Sequence, residues 1–125
     1  MAIAPSPSTF ETLRQQSHGR WLADLISRLE ALVASAPGAK DGQLEILLFG
    51  SRARGDWDGF SDTDLLVVAP HQEWAEHWAD RLLDAGLAQD VVALGQQSWE
   101  EMTTSPSPHW RAVKAQAISL LRLQP

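Results

Sequence analysis

The amino-acid sequence predicts an α+β domain, a mixed β-sheet flanked by helices. Three observations lead there. Short apolar runs suited to strands alternate with stretches whose apolar residues recur every three or four positions. Glycine or proline punctuates most of the joints. The 125 residues suit one domain, with no internal repeat and no segment long enough to act as a linker.

Residues 1–8, with Pro5 and Pro7, read as a disordered or extended tail, leaving 9–125 as the single domain. Ser8 and Glu11 have capping-box spacing, which predicts a short helix to about Gln16. From Gly19 a second helix carries Leu22, Leu25, Ile26, Leu29, Leu32 and Val33 on one stripe, and Pro37-Gly38 ends it. A turn over 40–42 leads to a buried strand at 44–49. Residues 50–61 are polar and glycine-rich, a helical turn followed by a loop. A strand at 63–69 ends at Pro70, and a helix over 71–85 shows the stripe Trp74, Trp78, Leu82, Ala85 before Gly86. Residues 88–94 form a third strand. Ser98 and Glu101 predict a capped short helix, and 103–108 a loop. Ser107-Pro108 is an N-cap and first-turn pair, predicting a helix to about Lys114 and a last strand at 117–123.

Composition narrows the function. The net charge of −6 and the absence of a basic run argue against a protein that holds long nucleic acid. Without cysteine there is no disulfide framework and no thiolate zinc site. No apolar run approaches the roughly 20 residues that span a bilayer, and residues 1–9 lack the cation and apolar core of a signal peptide. A cytoplasmic protein without membrane contact is expected.

The chemistry concentrates in 48–68. Gly50-Ser51 stands where a strand gives way to a helical turn, whose free N–H groups favour an anion. Glycine admits a phosphate close to the backbone, and Ser51 adds a hydroxyl. Arg52 and Arg54 have three readings: ligands of a triphosphate, partners of Asp56, Asp58 or Glu45, or solvated surface charges. Asp62 and Asp64 are two residues apart at a strand start, so both point to one face. Mg²⁺ is the natural occupant between such hard oxygen ligands. Two ions about 3.5–4 Å apart can clamp an in-line displacement. Asp90 is the one charge in register with Ala88, Val92 and Leu94; its other reading is an exposed edge-strand charge. If its strand neighbours that of Asp62 and Asp64, three carboxylates converge.

Gly50-Ser51, a spacer of ten residues and Asp62-Thr63-Asp64, with Asp90 on a later strand, resemble the DNA polymerase β-like nucleotidyltransferase superfamily. The text Phe49-Gly-Ser-Arg-Ala-Arg-Gly55 is closest to its minimal nucleotidyltransferase (MNT) group, and the similarity extends over 20–123. The resemblance implies the polymerase β-like fold. It implies Mg²⁺, as two ions, on Asp62, Asp64 and Asp90, with Asp90 favouring deprotonation of an acceptor hydroxyl. It also implies ATP or another NTP held by Gly50 and Ser51, with Arg52 or Arg54. Many MNT proteins are antitoxins thought to transfer AMP to a tyrosine of a HEPN ribonuclease partner. The resemblance therefore implies a protein acceptor and a HEPN-domain partner. Two other readings stand beside it. One is a partner that neutralises by contact alone; the other is a small-molecule nucleotidyltransferase working with a separate substrate-binding subunit.

Other residues carry blander readings. His18, His71, His77 and His109 lack metal-ligand spacing and are read as surface or structural. Trp74 and Trp78 are read as core. Trp57 and Phe60, in the motif loop, are open between local packing, stacking on a base and anchoring a partner.

Overall fold

The computed structural model describes residues 7–36, 42–57 and 61–124. The element order is α1 (Pro7–Ser35), β1 (Leu44–Phe49), α2 (Ser51–Arg54), β2 (Asp64–Ala69), α3 (Gln72–Asp84), β3 (Asp90–Gly95), α4 (Gln96–Glu101), a 3₁₀ turn (Met102–Thr104), α5 (Pro108–Gln116) and β4 (Ile118–Leu123). The four strands form one sheet in the order β3-β2-β1-β4. β1 pairs antiparallel with β2 and β4, while β2 and β3 run parallel, joined by α3. The sheet is therefore mixed, as expected.

Each central strand buries both faces, so β1 and β2 read as continuous apolar runs rather than alternating ones. On one face, Ile46, Leu48, Leu65 and Val67 pack against Leu25, Leu29 and Val33 of α1 and Trp78 and Leu82 of α3. On the other, Leu47, Phe49, Leu66 and Val68 pack against Trp99, Met102 and Val113. Asp64 and Asp90 have the parity of this second face and stand at its end.

Three sequence expectations are corrected. The two N-terminal helices are one helix of 29 residues, about 43 Å long. Glycine inside a helix costs only about 1 kcal/mol against alanine, and Gly19 lies in open space, next to His18 and Trp21, which hold the helix to the rest of the domain. Ser8 is accordingly inside the helix rather than its cap, and helix begins at Pro7, within the stretch expected as tail. Residues 1–6, the Pro37-Gly38 stop and the start of the 40–42 turn lie outside the described residues.

The second correction concerns α4. It begins at Gln96, so Ser98 is an interior residue and no side chain caps the start. The entry is set by Gln72 of α3 instead. Its side-chain oxygen accepts from Gly95 N (2.9 Å), and its amide donates to Ala93 O (2.8 Å). Third, Ala85 is exposed past the end of α3; the buried stripe is Ala75, Trp78, Ala79 and Leu82. The Ser107 cap is as expected, accepting from Trp110 N at 3.4 Å. No helix among the described residues is long and apolar enough to cross a membrane.

Candidate active site

The site grows from the end of β1. Gly50 leaves the strand with φ 77° and ψ −157°, a region essentially closed to other residues. Its carbonyl accepts from Ala53 N and Arg54 N, both at 3.1 Å, which turns the chain directly into α2. No side chain caps the start of α2. A Cβ on Gly50 would lie 2.4 Å from Oδ2 of Asp64, so the carboxylate rests against bare backbone.

Sheet register supplies the rest. Asp64 is paired with Phe49 on one side and directly with Asp90 on the other. Between Asp62 and Asp64, the buried Thr63 points the opposite way and is bracketed by Gln89. Thr63 N donates to the Gln89 side-chain oxygen at 2.7 Å, and Thr63 O accepts from Gln89 N at 3.1 Å and Asp90 N at 3.4 Å. This ties the starts of β2 and β3 together and brings Asp64 level with Asp90. Asp64 is half-buried, while Asp62 and Asp90 are exposed. Asp90 sits at the exposed first position of β3, the edge strand of the sheet, so its charge keeps its water.

Burial pushes the Asp64 carboxyl above its ordinary range, and the negative charges of Asp90 and Asp62 push it further; Arg54 opposes them. Two acids thus act electrically on the third. Among the described residues, however, no three His, Cys, Asp or Glu side chains gather into a ready-made metal cage. Mg²⁺ does not require such a cage, since it takes one or two carboxylates and completes its shell with water and substrate phosphate. The oxygen donors and the repulsion that Asp62 and Asp90 exert on Asp64 fit such an ion.

The two arginines part ways. Arg54 is exposed, ion-paired to Asp56 at 3.4 Å, and close enough to act on Asp64. Arg52 turns back towards α1. Its guanidinium lies 4.3 Å over the Trp21 ring and 5.1 Å over Trp57, and donates to Ser61 O at 3.4 Å. Glu45 pairs with Arg122 at 3.0 Å, at the far end of β1. A cleft of about 550 Å³ opens there, lined by Trp99, Lys114 and Arg122 among others, and shares no residue with the acids.

Of the open readings for Trp57, local packing is what the structure contains: its ring stacks on His18. Phe60 and Asp58 lie outside the described residues. Sequence reasoning did not single out Gln89, Gln72, Arg14 or Trp21. Gln89 carried one signal, its place next to Asp90; the others act across tens of residues and left none.

A mixed sheet that holds a Gly-Ser turn against paired strand-start acids is the DNA polymerase β-like nucleotidyltransferase fold. The family model described as "Nucleotidyltransferase domain" matches residues 33–103, more than half of the chain and the whole span from Gly50 to Asp90. The chain belongs to this family, as a minimal nucleotidyltransferase domain. No curated protein and no solved structure matches it.

Proposed function

We propose that this transferase moves a nucleoside monophosphate, AMP from ATP, to a hydroxyl group of a protein, with Asp62, Asp64 and Asp90 holding Mg²⁺. The observation that carries the reading is the Asp64–Asp90 register beside Gly50. It puts acidic oxygens against the bare backbone of Gly50, where the turn into α2 begins. Mg²⁺ supplies charge neutralisation on the phosphates and on the oxygens that enter and leave.

The remaining work falls to the chain. Gly50 and Ser51 present N–H groups and a hydroxyl to the triphosphate, and Arg54 is the cation placed near the acids. The acceptor oxygen bonds to the α-phosphorus as the bond to the β-phosphate oxygen breaks, and pyrophosphate leaves. The acceptor's proton passes to a carboxylate of the acid set. Asp90, exposed at the first position of β3, is the carboxylate to which the resemblance gives that role. Positioning and electrostatics carry the rate, as in other phosphoryl transfers.

The acceptor in this reading is a HEPN-domain ribonuclease partner, and the chain is its antitoxin, acting in the cytoplasm. The resemblance of 48–68 to the MNT group supports this.

The test is incubation of the protein with Mg²⁺ and ATP labelled at the α-phosphate in lysate of its source cells. Parallel reactions use γ-label, EDTA and Asp64→Asn. A protein band labelled only from the α position, and lost with EDTA or the variant, is expected. Label in a small molecule instead would remove the protein acceptor. No α-label in either fraction, with the natural partner present, would leave neutralisation by contact.

A further inference from the structure

We infer that Arg52 is a positioning residue rather than a phosphate ligand. Clasped with Trp57 and Trp21, it sets where Asp62 and Asp64 stand relative to the Gly50–Ser51 turn. The inference rests on the nucleotidyl-transfer reading for its purpose, but its geometry is independent of the acceptor.

The segment between α2 and Asp62 leaves from Gly55 and returns at Ser61. Both described ends are held by arginines, and both arginines are held by aromatic rings. At the departing end, Arg14 of α1 donates to Gly55 O at 3.1 Å and to Trp57 O, with its guanidinium 4.7 Å over the Trp57 ring. At the returning end, Arg52 donates to Ser61 O, the residue before Asp62.

His18 fills the space between the two indoles. It stacks on Trp21 (5.4 Å, 23°) and Trp57 (5.1 Å, 21°). Burial, with the positive charges of Arg52 and Arg14, lowers its pKa and keeps the ring neutral beside them. The Nε of Arg52 is buried without a hydrogen-bond partner, as is Nδ1 of His18. The arginine is thus committed to ring faces and one carbonyl. Its hydrogen bond goes from Nη2 to Ser61 O. Lysine is a poor substitute, because an ammonium has no flat face to lie against two rings while it donates to a carbonyl.

The unit joins elements far apart in sequence. α1 contributes Arg14, His18 and Trp21; the motif contributes Arg52, Trp57 and the carbonyls. α1 therefore acts as a splint along the motif loop. Ser61 moves with Arg52, and Asp62 follows Ser61.

The test compares Arg52→Lys, Trp57→Leu and the double variant, with Trp57→Phe as a milder change if Trp57→Leu melts early. Mn²⁺ binding without nucleotide is read by electron paramagnetic resonance, and transfer from α-labelled ATP gives apparent kcat and KM. Loss of a residue that orients metal ligands weakens metal affinity or activity by about 10- to 100-fold. The expected result is such a loss in Mn²⁺ affinity and kcat for each single variant, with the KM for ATP unchanged. The double variant should be no worse than either single one, since both break the same unit.

A raised KM for ATP in Arg52→Lys alone, with Mn²⁺ affinity intact, would make Arg52 a phosphate ligand and overturn the inference. So would losses that multiply in the double variant. Asp64→Asn separates the two levels. If it transfers label at the wild-type rate, the catalytic reading fails, while the Mn²⁺ titration still decides the clasp.

Discussion

Replacing Gly50 by alanine should damage stability and chemistry through two separable effects. The first is backbone strain. At φ 77° and ψ −157°, a side chain costs about 1–3 kcal/mol. Domains of this size have roughly 5–15 kcal/mol in hand, so the variant should still fold at 25 °C. The second is displacement. The new Cβ would meet Oδ2 of Asp64 at 2.4 Å, whereas ordinary contact begins at 3.4 Å, so the carboxylate must retreat by 1.0 Å (3.4 − 2.4). A misplacement of about 1 Å can cost on the order of 100-fold in rate. Gly55→Ala is the matched control. Its φ is 88° and ψ 3°, but a Cβ there meets nothing within 4 Å. It should lose about 1–2 kcal/mol and keep its chemistry. Urea unfolding gives the stabilities; Mn²⁺ binding and α-label transfer give the site. A folded Gly50→Ala protein with wild-type Mn²⁺ affinity and transfer would refute the placement of Asp64 against this turn.

Two further outcomes follow from charge. Asp64→Asn should raise the melting temperature in EDTA while abolishing transfer, because it removes a like-charge pair directly across two strands, worth about 0.2–1 kcal/mol, or roughly 1–4 °C. The folded pKa of Asp64 is raised, so its ionised form costs stability. The advantage of the variant should therefore be full at neutral pH and close as pH falls towards the ordinary 3.8; a gap that widens on acidification would contradict it. His18 has the opposite dependence. Its pKa is lowered in the fold by burial, Arg52 and Arg14, with Glu11 lining the same pocket. The unfolded chain takes up the proton first as pH drops below 6.5, so stability is full above that value and declines beneath it. Thermal melts from pH 7.5 to 5.5 should show wild type losing more than His18→Phe, and equal slopes would remove His18 as the cause.

Strands and acids were legible in the sequence because they are local signals. An apolar run such as Leu-Glu-Ile-Leu-Leu-Phe can hardly be anything but buried, and period two alone puts Asp62 and Asp64 on one face. The Ser107-Pro108 start was legible for the same reason. What escaped were contests between a local signal and a distant partner. Ser98 and Glu101 had capping spacing, but Gln72 reached β3 from 23 residues away and moved the helix start. Nothing near Arg52 in the sequence announced the two tryptophans whose ring faces it meets, one on a helix some 30 residues earlier. Gly19 suggested a break that packing on either side overrode. The exposure of Asp90 was left open, because alternation reports a face and not how far along that face the covering layer extends.

The order in which the strands are made has a consequence for synthesis. β4 closes the open side of β1 yet contributes no site residue. Every candidate site residue, from Gly50 to Asp90, leaves the ribosome before it. At about 5–20 residues per second, the 68 residues between Phe49 and Ile118 take roughly 3–14 s. Throughout that interval Leu-Glu-Ile-Leu-Leu-Phe lacks its second neighbour and presents an unpaired apolar edge, the kind that recruits other chains. Aggregation during expression should therefore respond to substitutions in β4 more than to changes at the acids, although the acids define what the finished protein does.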